Sequence, residues 1–343
     1  MRLVWMPITS QYLVKRLLYM VLSVLGVSII GFVLFRLLPG DPVEFMVGPG
    51  YFAQEAMSAL RAKLGLDQPI YVQYFIWLRD FLSGNFGRSW RFDLNVIDLI
   101  VERLPATLEL IIVSVIIALI IGVPIGVLSA VKPGSWADRV SQTTSFVGFA
   151  IPHFLWGIIF VVVFGAALRV MPASGRLDMG IEVHRITGFM LIDTLLNGDL
   201  GAFTNALTHI VLPALALAMG LIAMIHRTLR SSMLDVLNED YIFTDRMKGL
   251  SERYIIYVRA LKNALMPVIT IVGIQFTFLL GGSILVEKIY GWPGLGNLVF
   301  TAVQYQDLSL VQGIIMFYAV IVVITNLVVD IIYTLVNPRV EFK

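Results

Sequence analysis

The sequence predicts an all-α polytopic membrane protein with six transmembrane helices and cytoplasmic N- and C-termini. Of its 343 residues, 58% are hydrophobic and only 14% charged, with a mean hydropathy of +0.86. A soluble domain usually carries about a quarter charged residues. Six apolar runs without Lys, Arg, Asp or Glu recur, at Leu17–Phe35, Leu110–Val131, Val140–Leu168, Gly201–Ile225, Asn263–Val286 and Leu308–Val329. Each has the roughly 20 residues that cross ~30 Å of hydrocarbon, and each must be helical because an unpaired backbone group in lipid costs several kcal/mol. Finally, Lys and Arg concentrate on one side of the alternation. With the N-terminus inside, the shorter inside segments hold Lys15, Arg16, Lys132, Arg139, Arg227, Arg230 and the basic residues from Arg246 to Lys262. The longer outside segments hold fewer basic residues, mixed with acids.

In chain order, Leu17–Phe35 is too long for the apolar core of a signal peptide. No small-residue cleavage site follows it, so it is expected to be an uncleaved first span. The outer loop that follows is expected to hold a helix over Gln54–Leu64 stopped by Gly65. A second helix is marked by Ile70, Tyr74, Trp77 and Phe81 at helical spacing. Such a stripe suits a helix lying in the membrane interface, and equally a packed cap over the outer mouth. The second outer loop, from Arg169 to about Leu200, carries Arg176, Asp178, Glu182, Arg185, Asp193 and Asp199 and is expected to be solvated. Pro124, Pro152, Pro213 and Pro267 each remove a backbone donor and are expected to interrupt spans. His153, next to Pro152, is expected to satisfy a carbonyl freed by a kink rather than relay protons. Gly122 and Gly126 form a small-xxx-small pair that permits close helix approach. On the fifth span Thr270, Gly273, Thr277 and Gly281 share a face, with Gln275 nearby. That face would be a tight helix contact or, as the second reading, a polar path.

One polar stretch, Ser232–Pro267, stands apart between two apolar runs. Asn238 is expected to cap a short helix there. Glu239 and Asp240 lie in its first turn and Arg246 and Lys248 in its last, at the dipole ends that favour their signs. Gly249 stands where a left-handed residue closes a helix, and Ser251 with Glu252 opens a second helix running toward Asn263. Phe243, Met247 and Leu250 form an apolar stripe. It would press into a groove of a soluble partner or pack on the ends of the chain's own spans.

Several chemistries are missing. With no cysteine, disulfides, thiol catalysis and Cys-ligated zinc are excluded. No GxxxxGK[ST] or HExxH occurs, and the four histidines are too scattered for a metal site, so no metal and no bound cofactor are expected. A net charge near +2 argues against nucleic acid. The spans hold only His153 and His209, with Glu109 and Asp330 near their ends, which is thin for an ion-coupled transporter. G291-WPGLG-N297 is expected to be a tight outer turn. These features imply a non-enzymatic pore subunit driven by a separate motor.

Asp240–Pro267, read as DYIFTDRMKGLSERYIIYVRALKNALMP, resembles the cytoplasmic "EAA" loop of ABC-importer permeases in its peptide/nickel version. LPGDP at Leu38–Pro42, LGLDQPIYVQY at Leu64–Tyr74, LSGNFGRSW at Leu82–Trp90 and RLPATLEL at Arg103–Leu110 follow the same family pattern. So do MPASGR at Met171–Arg176, TGFMLIDT at Thr187–Thr194, HIVLPALAL at His209–Leu217, RSSMLDVL at Arg230–Leu237, GWPGLG at Gly291–Gly296 and VNPRV at Val336–Val340. The likeness extends over nearly the whole chain and is greatest to first permease subunits of dipeptide transporters.

The resemblance implies a type I ABC-importer permease in the bacterial cytoplasmic (inner) membrane. Residues 1–36 would hold the first span, 37–103 an extracytoplasmic loop, 104–336 a five-helix core with a coupling loop at 227–266, and 337–343 a cytoplasmic tail. Implied partners are a second homologous permease, two ABC ATPases that hold the ATP and Mg2+, an extracytoplasmic substrate-binding protein and the lipid bilayer. Asp240, Tyr241, Phe243, Thr244, Arg246, Met247, Lys248, Gly249, Leu250, Ser251, Glu252 and Arg253 would form the ATPase-coupling surface. The family pattern has a small residue where this chain has Asp245. The implied cargo is a dipeptide or short oligopeptide, with nickel or glutathione as alternatives. The rival from another class is an ion-coupled secondary transporter or channel working alone.

Overall fold

A computed structural model describes residues 10–37, 57, 58, 61, 62 and 65–336. LPGDP, most of the expected Gln54–Leu64 helix, the tail 337–343 and both chain ends lie outside the described residues. The regular structure among the described residues is helical, joined by turns and irregular loops, with an isolated bridge between Arg88 and Asn95. In order they form α1 (Ser10–Leu37), α2 (Ile70–Leu82), α3 (Val96–Val131), α4 (Trp136–Ala150), α5 (His153–Phe160), α6 (Met190–Leu196) and α7 (Leu200–Leu237). Then come α8 (Asp240–Met247), α9 (Glu252–Tyr254), α10 (Met266–Ile289), α11 (Leu295–Gln304) and α12 (Leu308–Val336). A π segment, Val161–Ala167, extends α5, and a second, Ile255–Ala260, follows α9 before a helical turn at Leu261–Ala264. The chain divides into two compact units, one from residues 1–104 and 297–324, the other from 105–296 and 325–341.

In the first unit, Tyr74 and Trp77 of α2 pack on Phe32 of α1, with ring centroids 5.5 and 5.6 Å away, and the Tyr74 hydroxyl meets Ser28 Oγ at 2.8 Å. The expected aromatic stripe therefore faces another helix. The opposite face of α2 exposes Tyr71 and Phe75, and it is this face that suits an interface with lipid. Gly65, expected to stop a helix, has a left-handed backbone at φ +66°. Between α2 and α3 the chain is pinned by Asp307, fully buried, whose carboxylate accepts from Ser89 Oγ at 2.5 Å and from the backbone N–H of Arg91 at 3.2 Å.

The second unit is built around α7, whose Leu212, Leu217, Leu221, Ile225, Leu229 and Met233 are buried. Gly122 and Gly126 of α3 make the expected close approach to it. A Cβ at Gly122 would lie 2.9 Å from Ile225 and one at Gly126 3.0 Å from Leu229, so larger residues would force the helices apart.

The prolines behave differently from one another. Pro124 lies within α3 and Pro213 within α7 without ending either helix, while Pro267 sits in the first turn of α10. There its missing N–H is one that has no intrahelical partner anyway. At Pro152 the third apolar run bends by 103° between α4 and the helix formed by α5 with its π segment. The apolar run from Val140 to Leu168 is thus interrupted at Pro152, as expected. Residue 152 would have donated to the Gly148 carbonyl. The Trp156 indole N–H takes that carbonyl instead, at a long 3.4 Å. His153 does not fill the expected role: its ring lies against Gly220 and Gly282, and its Nδ1 has no hydrogen-bond partner among the described residues.

Among the described residues four helices are long and apolar enough to cross a membrane: Val96–Val131, Leu200–Leu237, Met266–Ile289 and Leu308–Val328. The bent pair makes a fifth if counted as one span. The apolar stretch described in α1 is shorter, Leu18–Val33.

Candidate functional site

The element singled out by the sequence is a short helix between two long ones. Asn238 does not open α8 as expected. It closes α7, its Nδ2 donating to the Leu234 carbonyl at 2.8 Å, and Glu239 stands at the N-cap of α8 with no side-chain capping bond. At the far end the Gly249 N–H donates to the Arg246 carbonyl at 2.9 Å and the Leu250 N–H to the Asp245 carbonyl at 3.3 Å. This Schellman arrangement needs a left-handed C′ residue, and Gly249 has φ +77°. Ser251 Oγ then caps α9 by accepting from the Tyr254 N–H at 3.4 Å.

Three cross-links hold α8 against the segment that follows. Arg246 Nε donates to Glu252 Oε1 at 2.9 Å, Arg259 Nε to Asp245 Oδ2 at 2.7 Å, and Asn263 Nδ2 to the Tyr241 hydroxyl at 2.8 Å. The Asp245 carboxylate beside it pushes the Arg259 guanidinium above its ordinary pKa. Ile242 and Asp245 are the residues of α8 that turn inward and are buried. Sequence reasoning missed both roles. The one signal was an acid at a position where a small residue is expected, with a cation on the next helix.

With that face turned in, Phe243 is 65% and Met247 74% exposed, and Leu250 is exposed beside them. The stripe therefore does not pack on the chain's own helices among the described residues. Asp240, Thr244, Arg246, Lys248, Gly249, Ser251, Glu252 and Arg253 are exposed around it, and Tyr241 is half-buried.

The face expected on the fifth span is divided. Gly273 is buried and Gln275 Nε2 contacts Met224 Sδ. Thr270 Oγ1 turns back to the Met266 carbonyl at 3.4 Å, and Thr277 Oγ1 lies 3.4 Å from Asn326 Oδ1. A Cβ at Gly281 would meet nothing within 4 Å, so at that position the expected tight contact is not made among the described residues.

Two buried polar networks brace the unit. Near one end of α7, the Asp138 carboxylate accepts from Arg230 Nε at 2.7 Å and Nη2 at 2.9 Å, from Gln142 Nε2 and the Gly134 N–H at 2.8 Å each, and from Ser129 Oγ. This ties α3, α4 and α7 together. Near the other end Glu109 pairs with Arg176, whose guanidinium lies 5.4 Å over the Trp292 ring and donates to the Gly188 carbonyl. Glu287 accepts from Thr107 Oγ1 at 2.8 Å, and the Trp292 indole donates to the Ala106 carbonyl at 2.9 Å. A Cβ at Gly294 would collide with Glu287 and Thr107, so the glycine-rich turn is a keyed part of the core and more than a tight turn.

The second outer loop, expected to be solvated, contributes to this packing. Arg176 and Asp193 are mostly buried and Asp199 caps α7. Burial pushes the Asp193 carboxyl up, but bonds from the Thr187 hydroxyl and the N–H groups of Thr187 and Gly188 outweigh it and leave its pKa below the ordinary value.

Long apolar helices packed around the central rod α7 give the architecture of a membrane transport permease. The chain belongs to the family of binding-protein-dependent transport system inner membrane components, whose model matches residues 122–342. The N-terminal model of such membrane components matches residues 9–111.

Within that family its relatives include peptide permeases. It is 41% identical to a di/tripeptide transport system permease protein, DppB, of Pseudomonas aeruginosa, over 97% of this chain and 99% of that protein. It is 40% identical to the dipeptide permease DppB of Escherichia coli K12, over 97% and 99%, and 40% identical to the oligopeptide permease AppB of Bacillus subtilis, over 97% and 100%. Among solved structures, a chain of the MetNI methionine ABC transporter in an inward-facing conformation shares the fold. Its TM-score is 0.52 at 17% identity, over 70% of this chain and 96% of that one.

Proposed function

We propose that the chain is the membrane-spanning permease subunit of an ATP-driven importer, passing dipeptides or short oligopeptides handed to it by an extracytoplasmic binding protein. Its relatives' names supply the peptide. The carrying observation is the exposed stripe of Phe243, Met247 and Leu250 on a helix clamped to its neighbour by Asp245–Arg259 and Arg246–Glu252. A rigid helix with an uncovered apolar ridge suits the groove of a separate subunit. In this reading six spans cross the bacterial inner membrane with both termini and α8 in the cytoplasm. A second permease completes the pathway, beside the open face at Gly281. Two ATPase subunits hold ATP and Mg2+, and this chain hydrolyses nothing.

ATP-driven closure of the ATPase cleft grips α8, and the cross-links pass the motion to α7 and α10, switching the path from inward- to outward-open. Exposed Arg246, Lys248 and Arg253 meet acids at the cleft rim, where charges contribute mostly specificity. The test is Leu250→Asp and Gly249→Pro in the reconstituted transporter. Both are expected to abolish peptide-stimulated ATP hydrolysis and uptake. Unchanged rates in both variants, or peptide uptake by the chain alone under an ion gradient without nucleotide, defeat the proposal.

A further inference from the structure

A cavity of about 370 Å³ opens between α4 and α7, beside the Asp138–Arg230 pair. Arg227, Arg230 and His226 line it with Ser145, and Phe146 and Phe149 stand at its wall. No carboxylate is among its lining residues. Arg230 gives its Nε and Nη2 to Asp138, whose oxygens already accept from several other donors. Arg227 has no ion-pair partner among the described residues, and its guanidinium lies 5.9 Å over the Phe149 ring. His226 Nδ1 is held by Ser145 Oγ at 2.8 Å and adds no negative charge. Two guanidiniums against one carboxylate leave a positive surplus beside aromatic rings, and an anion is the ligand that this surplus favours.

The mouth of this cavity shows what kind of anion fits. Phe146 is 73% and Phe149 55% exposed, and Val140 and Val147 on the same helix are exposed as well. A cationic recess with an apolar rim matches a phosphodiester carrying acyl chains better than a peptide, whose backbone would find few partners along that rim. Basic pockets between transmembrane helices on the cytoplasmic side take anionic lipid head groups in this way. We propose that the recess holds one anionic phospholipid of the cytoplasmic leaflet, its phosphate on Arg227 and Arg230 and its chains along Phe146 and Phe149. The assignment rests on the cytoplasmic placement of this end of α7 proposed above, and not on the cargo.

The full chain, purified in mild detergent, is offered equal amounts of phosphatidylglycerol and phosphatidylcholine, and retained lipid is read by native mass spectrometry. One phosphatidylglycerol per chain is expected to be retained in preference. Retention should fall about fivefold in Arg227→Gln, fall also in Phe146→Ala, and be kept in Arg227→Lys. Equal retention of the two lipids, or retention unaffected by both Arg227→Gln and Phe146→Ala, overturns the site. So does displacement of the lipid by a dipeptide or by inorganic phosphate. Because no nucleotide, ATPase or transport is involved, failure here leaves the importer reading standing. Failure of peptide uptake leaves this one standing.

Discussion

At the Trp292 end of the unit built on α7, large and charged side chains find their partners inside the chain. Trp292 is 1% exposed and bonded to Ala106, Glu287 to Thr107, and Glu109 to Arg176. At the α8 end only one face of the helix is satisfied, by Ile242 and the Asp245–Arg259 pair, and the other presents Phe243 and Met247 to solvent. One end is packed within the polypeptide, and the other leaves an apolar face uncovered. Burial therefore separates what maintains the subunit from what it offers to others.

The largest effect that sharpens this contrast is expected from Trp292→Ala. Removing a fully buried indole and its hydrogen bond to the Ala106 carbonyl should cost about 3–5 kcal/mol, read as a lowered thermal unfolding midpoint of the purified chain. Little loss would mean that the Trp292 end is not the packed one.

Next comes an asymmetry within the α8 clamp. Arg259→Ala strands a nearly buried carboxylate, whereas Asp245→Ala leaves an already exposed guanidinium in water. Hydrogen exchange across residues 240–250 should therefore quicken more in Arg259→Ala. The reverse order would mean that Asp245 is not turned inward.

Acid should act on the loop around Asp193. The folded pKa of Asp193 is depressed, so its contribution is present above the unfolded value of ~4 and disappears as pH falls through the lower folded one. Amides from Thr187 to Leu191 should lose exchange protection at low pH in the wild type, and Asp193→Asn should already show that loss at neutral pH.

The smallest effect is expected from Met247→Ser, which should shift stability by no more than about 0.5 kcal/mol while reducing coupled ATP hydrolysis in the reconstituted transporter. A large stability loss would show that the stripe is part of the chain's own core.

What the sequence made legible was local. Gly249, Ser251 and the Gly122/Gly126 pair are governed by backbone geometry or by one neighbouring helix, and their spacing announces them. What it hid depends on distant partners. Asp138 meets Arg230 across 92 positions and Thr107 meets Glu287 across 180, and no periodicity connects such residues. Asn238 was misassigned because the same side-chain amide that can begin one helix can also end another, and only the register of α7 decides. At Pro152 the missing donor was plain from the sequence, but the choice of Trp156 over the adjacent His153 depended on which ring the bend swings toward Gly148.

The bend at Pro152 also separates the helices by the loads they can bear. A straight rod carries a push along its axis, whereas one folded by 103° at its middle turns the same push into a sideways swing. Helix α7 runs 38 residues without a break, from its cap at Asp199 to Asn238. A push applied at Asn238 would meet an unbroken helix in α7, whereas one applied along α4 would meet a corner at Pro152.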